Sequence, residues 1–161
     1  MKKTAWLNFI VLFITIGLLS SCGGGGSDTP DPEPQPTPEQ QQIARLAGTS
    51  AKTWTATAIT FNGAPSESYS NPSSFSITFR TARTYSTASG TPVFPSSGGW
   101  AFSTGNLNSL IFDNNQNFIG TISGLNAAGT QMTLTIDYQL ANASARVDGI
   151  NGRYVFTLTS N

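Results

Sequence analysis

Histidine is absent from this chain of 161 residues, cysteine occurs once, and charged residues make up only 10% of it, against about 25% in an average globular domain. Without an imidazole there is no Ser-His-Asp or Cys-His nucleophile system and no His-ligated zinc centre. A single Cys excludes an internal disulfide. Lys plus Arg number eight and Asp plus Glu number eight, so the net charge is zero. Such a balance gives no broad positive field to hold nucleic acid.

What is present falls into three segments. Met1, Lys2 and Lys3 form a positive start, and Ala5 to Leu19 is apolar apart from Asn8, Thr15 and Gly17. That stretch is shorter than the ~20 residues a membrane-spanning helix needs. With small residues behind it, it reads as a signal peptide over residues 1–21. Its end, Leu19-Ser20-Ser21-Cys22, resembles a bacterial lipobox, in which an aliphatic residue and two small ones precede an obligatory Cys. The resemblance implies a lipoprotein in which the Cys22 thiol carries diacylglycerol and the freed N-terminus a further acyl chain such as palmitate. Two chains anchor where one is marginal, because each buried methylene contributes about 0.8 kcal/mol. A plain cleaved signal with an incidental Cys is the alternative. Gly23 rather than Asp follows Cys22, which argues against inner-membrane retention and for an outer-membrane anchor, on the periplasmic or cell-surface face.

Residues 22–42 read as a lipidated Gly/Pro-rich tether. Gly23 to Gly26 is flexible, whereas every second residue from Pro30 to Pro38 is proline. Alternating proline enforces polyproline II, a stiff spacer of about 28 Å. A proline-recognition ligand is the other reading of the same run.

Residues 43–161 form the folded domain. Ile43, Leu46 and Ala47 at helical spacing predict one short N-terminal helix over Glu39–Ala47, ended by Gly48. Everything beyond alternates with period 2. Eight strands are expected: Lys52–Phe61, closed by Asn62-Gly63; Phe75–Phe79; Arg83–Ser89; Trp100–Ser103; one around Leu110 and Phe112; Phe118–Ser123; Met132–Leu140; and one carrying Tyr154, Phe156 and Leu158. Eight short strands with one apolar face each suit an antiparallel up-and-down barrel, which removes the sheet edges. A β-sandwich is the alternative architecture.

Leu46-Ala47-Gly48, with Trp54 entering the first strand, resembles the opening of lipocalin-like (calycin) barrels, where a Gly and a Trp close the floor. Phe75 to Phe79, Arg83-Thr84-Tyr85-Ser86, Pro92-Val93-Phe94-Pro95 and Gly98-Gly99-Trp100-Ala101-Phe102 are similar to phrases of small lipocalin-like lipoproteins of Gram-negative bacteria. The resemblance runs from Leu46 to about Leu158. It implies the barrel fold and an envelope location, and leaves Arg153 as the candidate for the basic residue stacked on that Trp.

Chemistry is sparse, and no catalytic residue, cofactor or metal site is expected. Asp113 and Asp137 are the only acids placed to act as a carboxylate pair, and each suits a turn or a solvent face. Asp113, Asn115 and Asn117 have the 1-3-5 spacing of a calcium loop, but Phe118 stands where its Gly belongs, so a polar hairpin turn is the simpler reading. Asp137 and Arg153 share the outward phase of neighbouring strands and are expected to form a surface ion pair. The Ser-rich stretch from Ser66 to Ser76 has hydroxyls and no base.

The aromatics remain. Trp54, Phe75, Phe79, Tyr85, Trp100, Phe102, Tyr138 and Tyr154 fall on the inward phase. They line either a packed core or a pocket for one small hydrophobic ligand, with Ala56 and Ala58 leaving space opposite. Phe94, between two prolines, either plugs the barrel mouth or presents itself to a partner. The expected function is a non-enzymatic, membrane-anchored barrel that binds a small hydrophobic ligand. The alternative is a side-chain-filled barrel acting as a structural or interaction protein of the cell envelope, contacting protein or glycan partners.

Overall fold

A computed structural model describes residues 34–139 and 151–160. The signal over residues 1–21, the lipidation site Cys22, the tether up to residue 33, and Leu140 at the end of the seventh expected strand lie outside the described residues.

Helix α1 (Pro38–Ala47) opens the folded part. The Thr37 hydroxyl accepts from the Gln40 amide at 3.2 Å, and the Gln40 side-chain oxygen accepts from the Thr37 amide at 2.8 Å. This reciprocal pair satisfies donors that a helix start otherwise leaves orphaned. Pro38, last of the alternating prolines, sits in the first turn, where its missing N–H costs nothing. The helix therefore begins inside the stretch read as tether, ahead of Ile43. Gly48 ends it with φ of 67°, a left-handed conformation that favours glycine.

Nine strands follow among the described residues: β1 (Ala51–Phe61), β2 (Ala64–Pro65), β3 (Ser76–Arg80), β4 (Thr84–Ala88), β5 (Ser97–Ser103), β6 (Asn106–Phe112), β7 (Ile119–Ser123), β8 (Gln131–Tyr138) and β9 (Gly152–Thr159). From β3 to β9 each strand pairs antiparallel with the next, β3 pairs back to β1, and β9 returns to β1. Eight strands thus close into an up-and-down barrel. A sandwich would keep two separate sheets with open edges, and the β1–β9 pairing excludes it. The two-residue β2 stays outside the ring. It folds back on the end of β1 through Asn62 and Gly63 at φ of 49° and 86°, the signature of a tight hairpin turn.

Length lets β1 close the ring. Ala51–Thr55 pairs with β3 on one side, and Thr55–Phe61 with β9 on the other. The register shifts between Ala56 and Ala58. This bulge moves the inward phase from Trp54 and Ala56 to Ile59, all of them buried. Ala58 is turned outward and exposed, so it leaves no space inside the barrel, contrary to the strict alternation expected of that strand. Strands β5 and β6 begin earlier than their apolar residues suggest, at Ser97 and Asn106, because Gly98-Gly99 carry no side chain to print a period and Leu107 falls out of phase with Leu110 and Phe112.

Candidate functional site

Inward alternation sends large rings toward one axis from every ring strand but β7, which contributes Ile122. Trp54, Phe75, Phe79, Tyr85 and Tyr154 are fully buried, and Trp100 is nearly so. Phe102 and Tyr138 are half-buried and pack against this core. The rings touch one another through its depth: Phe75 lies 4.8 Å from Phe156, Phe79 5.6 Å from Trp100, and Tyr85 5.3 Å from Phe112, centroid to centroid. Aromatic pairs at such separations contribute about 0.5–1.5 kcal/mol beyond the area they bury.

One end of the barrel is floored by α1. Leu46 and Ala47 of the helix are fully buried, and the indole Nε1 of Trp54 donates to the Leu46 carbonyl at 2.8 Å. Lys52 Nζ donates to the Arg45 carbonyl at 2.9 Å, satisfying a helix C-terminal acceptor, and stands 5.5 Å from the centroid of the Trp54 ring. The cation over that Trp is thus Lys52 and not Arg153, which pairs with Asp137 instead. Alongside, the guanidinium of Arg83 stacks on Trp100 at 4.6 Å and Phe102 at 4.9 Å, and forms an ion pair with Glu39 of the helix.

Phe94 fills the other end. It is 3% exposed, and its ring meets Phe75 at 5.9 Å, Phe112 at 5.3 Å, Phe118 at 5.4 Å and Phe156 at 5.7 Å. Of the two readings of Phe94, the plug is the one found. Its loop is tied down by a residue the sequence did not single out. The Tyr69 hydroxyl donates to the Gly90 carbonyl at 2.5 Å and accepts from the Val93 amide at 3.4 Å. Tyr69 lies in the Ser-rich stretch, on a single turn of 3₁₀ helix (Glu67–Tyr69), where no strand periodicity could flag it. Burial pushes the hydroxyls of Tyr69, Tyr85 and Tyr154 above their ordinary range, and the Asp113 carboxylate adds to the rise at Tyr85.

The acids are held apart by different partners. Asp113 accepts from the Tyr85 hydroxyl at 2.8 Å and from the Gly99 amide at 2.9 Å. It lies so close over Gly98 that any side chain there would collide with its carboxylate. Asn115 spends its side-chain oxygen on the Asn117 amide at 2.9 Å. Asp113, Asn115 and Asn117 therefore build a hairpin turn, not a converging set of cation ligands. Asp137 and Arg153 form the expected surface pair through two bonds of 2.8 and 3.2 Å. The guanidinium bond holds the Asp137 carboxyl below its usual range. Compared with protein families, curated proteins and solved structures, the chain finds no match.

Proposed function

We propose that this chain is a lipid-anchored envelope protein of a Gram-negative outer membrane, held through Cys22, whose barrel is a non-enzymatic interaction module. The filled interior is the observation that carries this reading. Rings from the strands and from the Phe94 loop pack against one another from floor to mouth, and such a barrel has its outside and its rim to offer a partner. The absence of histidine and the commitment of Asp113 and Asp137 to structural bonds support a protein without catalysis. The lipobox-like Leu19-Ser20-Ser21-Cys22 and the proline run support a head held off a membrane on a spacer.

The second reading, a small hydrophobic ligand among Trp54, Phe75, Phe79, Tyr85, Trp100, Phe102, Tyr138 and Tyr154, is favoured by one observation. The residue at the centre of the barrel mouth, Phe94, rides on a loop and not on a strand, so its withdrawal would break no sheet pairing. Native mass spectrometry of the full chain, taken from host membranes and incubated with envelope lipid extracts, separates the two. A mass equal to the acylated chain alone is expected. A recurrent non-covalent excess that vanishes on denaturation would replace the interaction module with the ligand carrier.

A further inference from the structure

The barrel mouth carries a feature that the packed interior does not explain. Around the Phe94 plug lies a concavity of about 260 Å³ whose lining includes Pro95, Asn115, Asn117, Phe118, Tyr138 and Gln139. Among the described residues, three separate pieces of chain build it. Pro95 comes from the loop before β5, Asn115 to Phe118 from the β6–β7 hairpin, and Tyr138 and Gln139 from the end of β8. Tyr138 continues the inward phase of Met132, Leu134 and Ile136. Because it is the last residue of its strand, its ring is only half-buried at the rim, 6.1 Å from Phe118 and edge-on to it.

The chemistry of this lining is selective. Among the described residues it contains no Lys or Arg, so an anion finds no cation in this part of the lining. The acid among the described lining residues, Asp113, already accepts from Tyr85 and Gly99. What remains are neutral groups that both donate and accept: the side-chain amides of Asn117 and Gln139 and the hydroxyl of Tyr138, none with a hydrogen-bond partner among the described residues. A purely apolar ligand would strand these groups away from water, at a cost. A neutral ligand rich in hydroxyls would pair with them and lay its C–H face on the Tyr138 ring. The volume lies just under the roughly 300 Å³ at which drug-sized sites begin, which is room for one sugar ring. Barrel mouths are a recurrent place for such sites.

We infer that the barrel mouth is a saccharide-binding site for a neutral glycan, with Tyr138 as the stacking platform and Asn117 and Gln139 as the hydroxyl readers. This rests on the interaction-module reading above and names its partner. A glycan held end-on by one residue at the rim is compatible with a plugged interior, because nothing has to enter the barrel. Asn117 and Gln139 are exposed, so their truncation leaves the fold in place.

The test uses the full chain, purified from membranes in a detergent without a sugar head group and applied to an array of neutral and acidic glycans. Neutral glycans are expected to bind. The strongest of them is then titrated by saturation-transfer NMR against variants. Asn117→Ala and Gln139→Ala are each expected to weaken binding about tenfold. Tyr138→Ala is expected to abolish it, and Tyr138→Phe, which keeps the ring, to retain most of it. Circular dichroism and an unchanged melting midpoint establish that each variant is folded, and the two exposed amide variants carry the test if Tyr138→Ala is not. No binding to any neutral glycan, binding to acidic glycans alone, or affinity unmoved by Asn117→Ala and Gln139→Ala would overturn the inference. Those failures leave the filled interior and the interaction module standing. A lipid found inside the barrel by mass spectrometry would instead remove the interaction module.

Discussion

The hydroxyl of Tyr69 donates to the carbonyl of Gly90 at 2.5 Å, and through that bond a one-turn helix fixes the loop that seats Phe94 in the barrel mouth. Thr87 secures the far side of the same loop by donating to the Pro95 carbonyl at 2.7 Å. Tyr69 also packs edge-on against Phe75 and Phe156 at 5.7 and 5.6 Å. The same side chain is thus both part of the core and the clasp of its plug.

Removing the clasp and removing the plug have different expected sizes. Tyr69→Phe keeps the ring contacts and removes one bond to the Gly90 carbonyl, which still accepts from the Val93 and Phe94 amides, at a cost of about 0.5–1.5 kcal/mol. Phe94→Ala deletes a ring in contact with several others and leaves a cavity, at a cost of about 3–5 kcal/mol. Urea unfolding followed by tryptophan fluorescence measures both. No loss on Tyr69→Phe would mean that the loop is held by something other than the Tyr69 hydroxyl.

Asp113 is expected to be the most sensitive acid in the barrel. Asp113→Ala strips the buried Tyr85 hydroxyl of its acceptor and the Gly99 amide of its own, for a loss of about 2–4 kcal/mol. Asp113→Asn retains an acceptor for Gly99 and loses less. Gly98→Ala forces a methyl group into the carboxylate and against the Tyr85 ring, so it is expected to destabilise as much as Asp113→Ala. Thermal midpoints of the three variants give the order directly.

High pH is expected to unfold the barrel in a single step. The folded state keeps Tyr69, Tyr85 and Tyr154 protonated beyond their ordinary range, whereas in the unfolded chain they ionise near pH 10, as tyrosine does at about that value. The folded state then binds more protons than the unfolded one. The associated stability is complete below about pH 10 and falls as pH rises beyond it. Phenolate absorbance from these three residues should appear together with loss of far-ultraviolet circular dichroism. Their ionisation with the dichroism intact would show that they are open to water.

Cys22→Ala in the full chain is expected to move the protein from the membrane fraction to the soluble fraction of the envelope, because the lipid anchor is the attachment proposed for it. Continued sedimentation with membranes would refute lipidation at that residue.

Strands and their faces could be read from the sequence because a half-buried sheet forces alternation, and Met132 to Tyr138 shows it in every residue. Asn62-Gly63 and Gly48 were legible for a similar reason, since few residues tolerate the positive φ their positions require. Sites made by convergence were not. Ala58 keeps the right parity for the interior, yet a bulge with no sequence signature turns it out. Phe94 could be read only as plug or lure, since what decides between them is Tyr69, 25 residues earlier in sequence number. The Asn117, Tyr138 and Gln139 rim exists only once β6, β7 and β8 stand side by side, and each amide alone resembles any polar residue in a turn.

Thr55 near the start of the barrel and Thr159 near the end of the chain are neighbours in the closing seam between β1 and β9. A ring with its seam there stays open until its last strand, β9, has been delivered, and contacts so distant along the chain form slowly. For the exported, lipid-anchored chain proposed above, this is a matter of timing. No finished barrel exists to jam a narrow channel while the chain is being threaded, and the fold completes itself on the far side, when its final strand arrives.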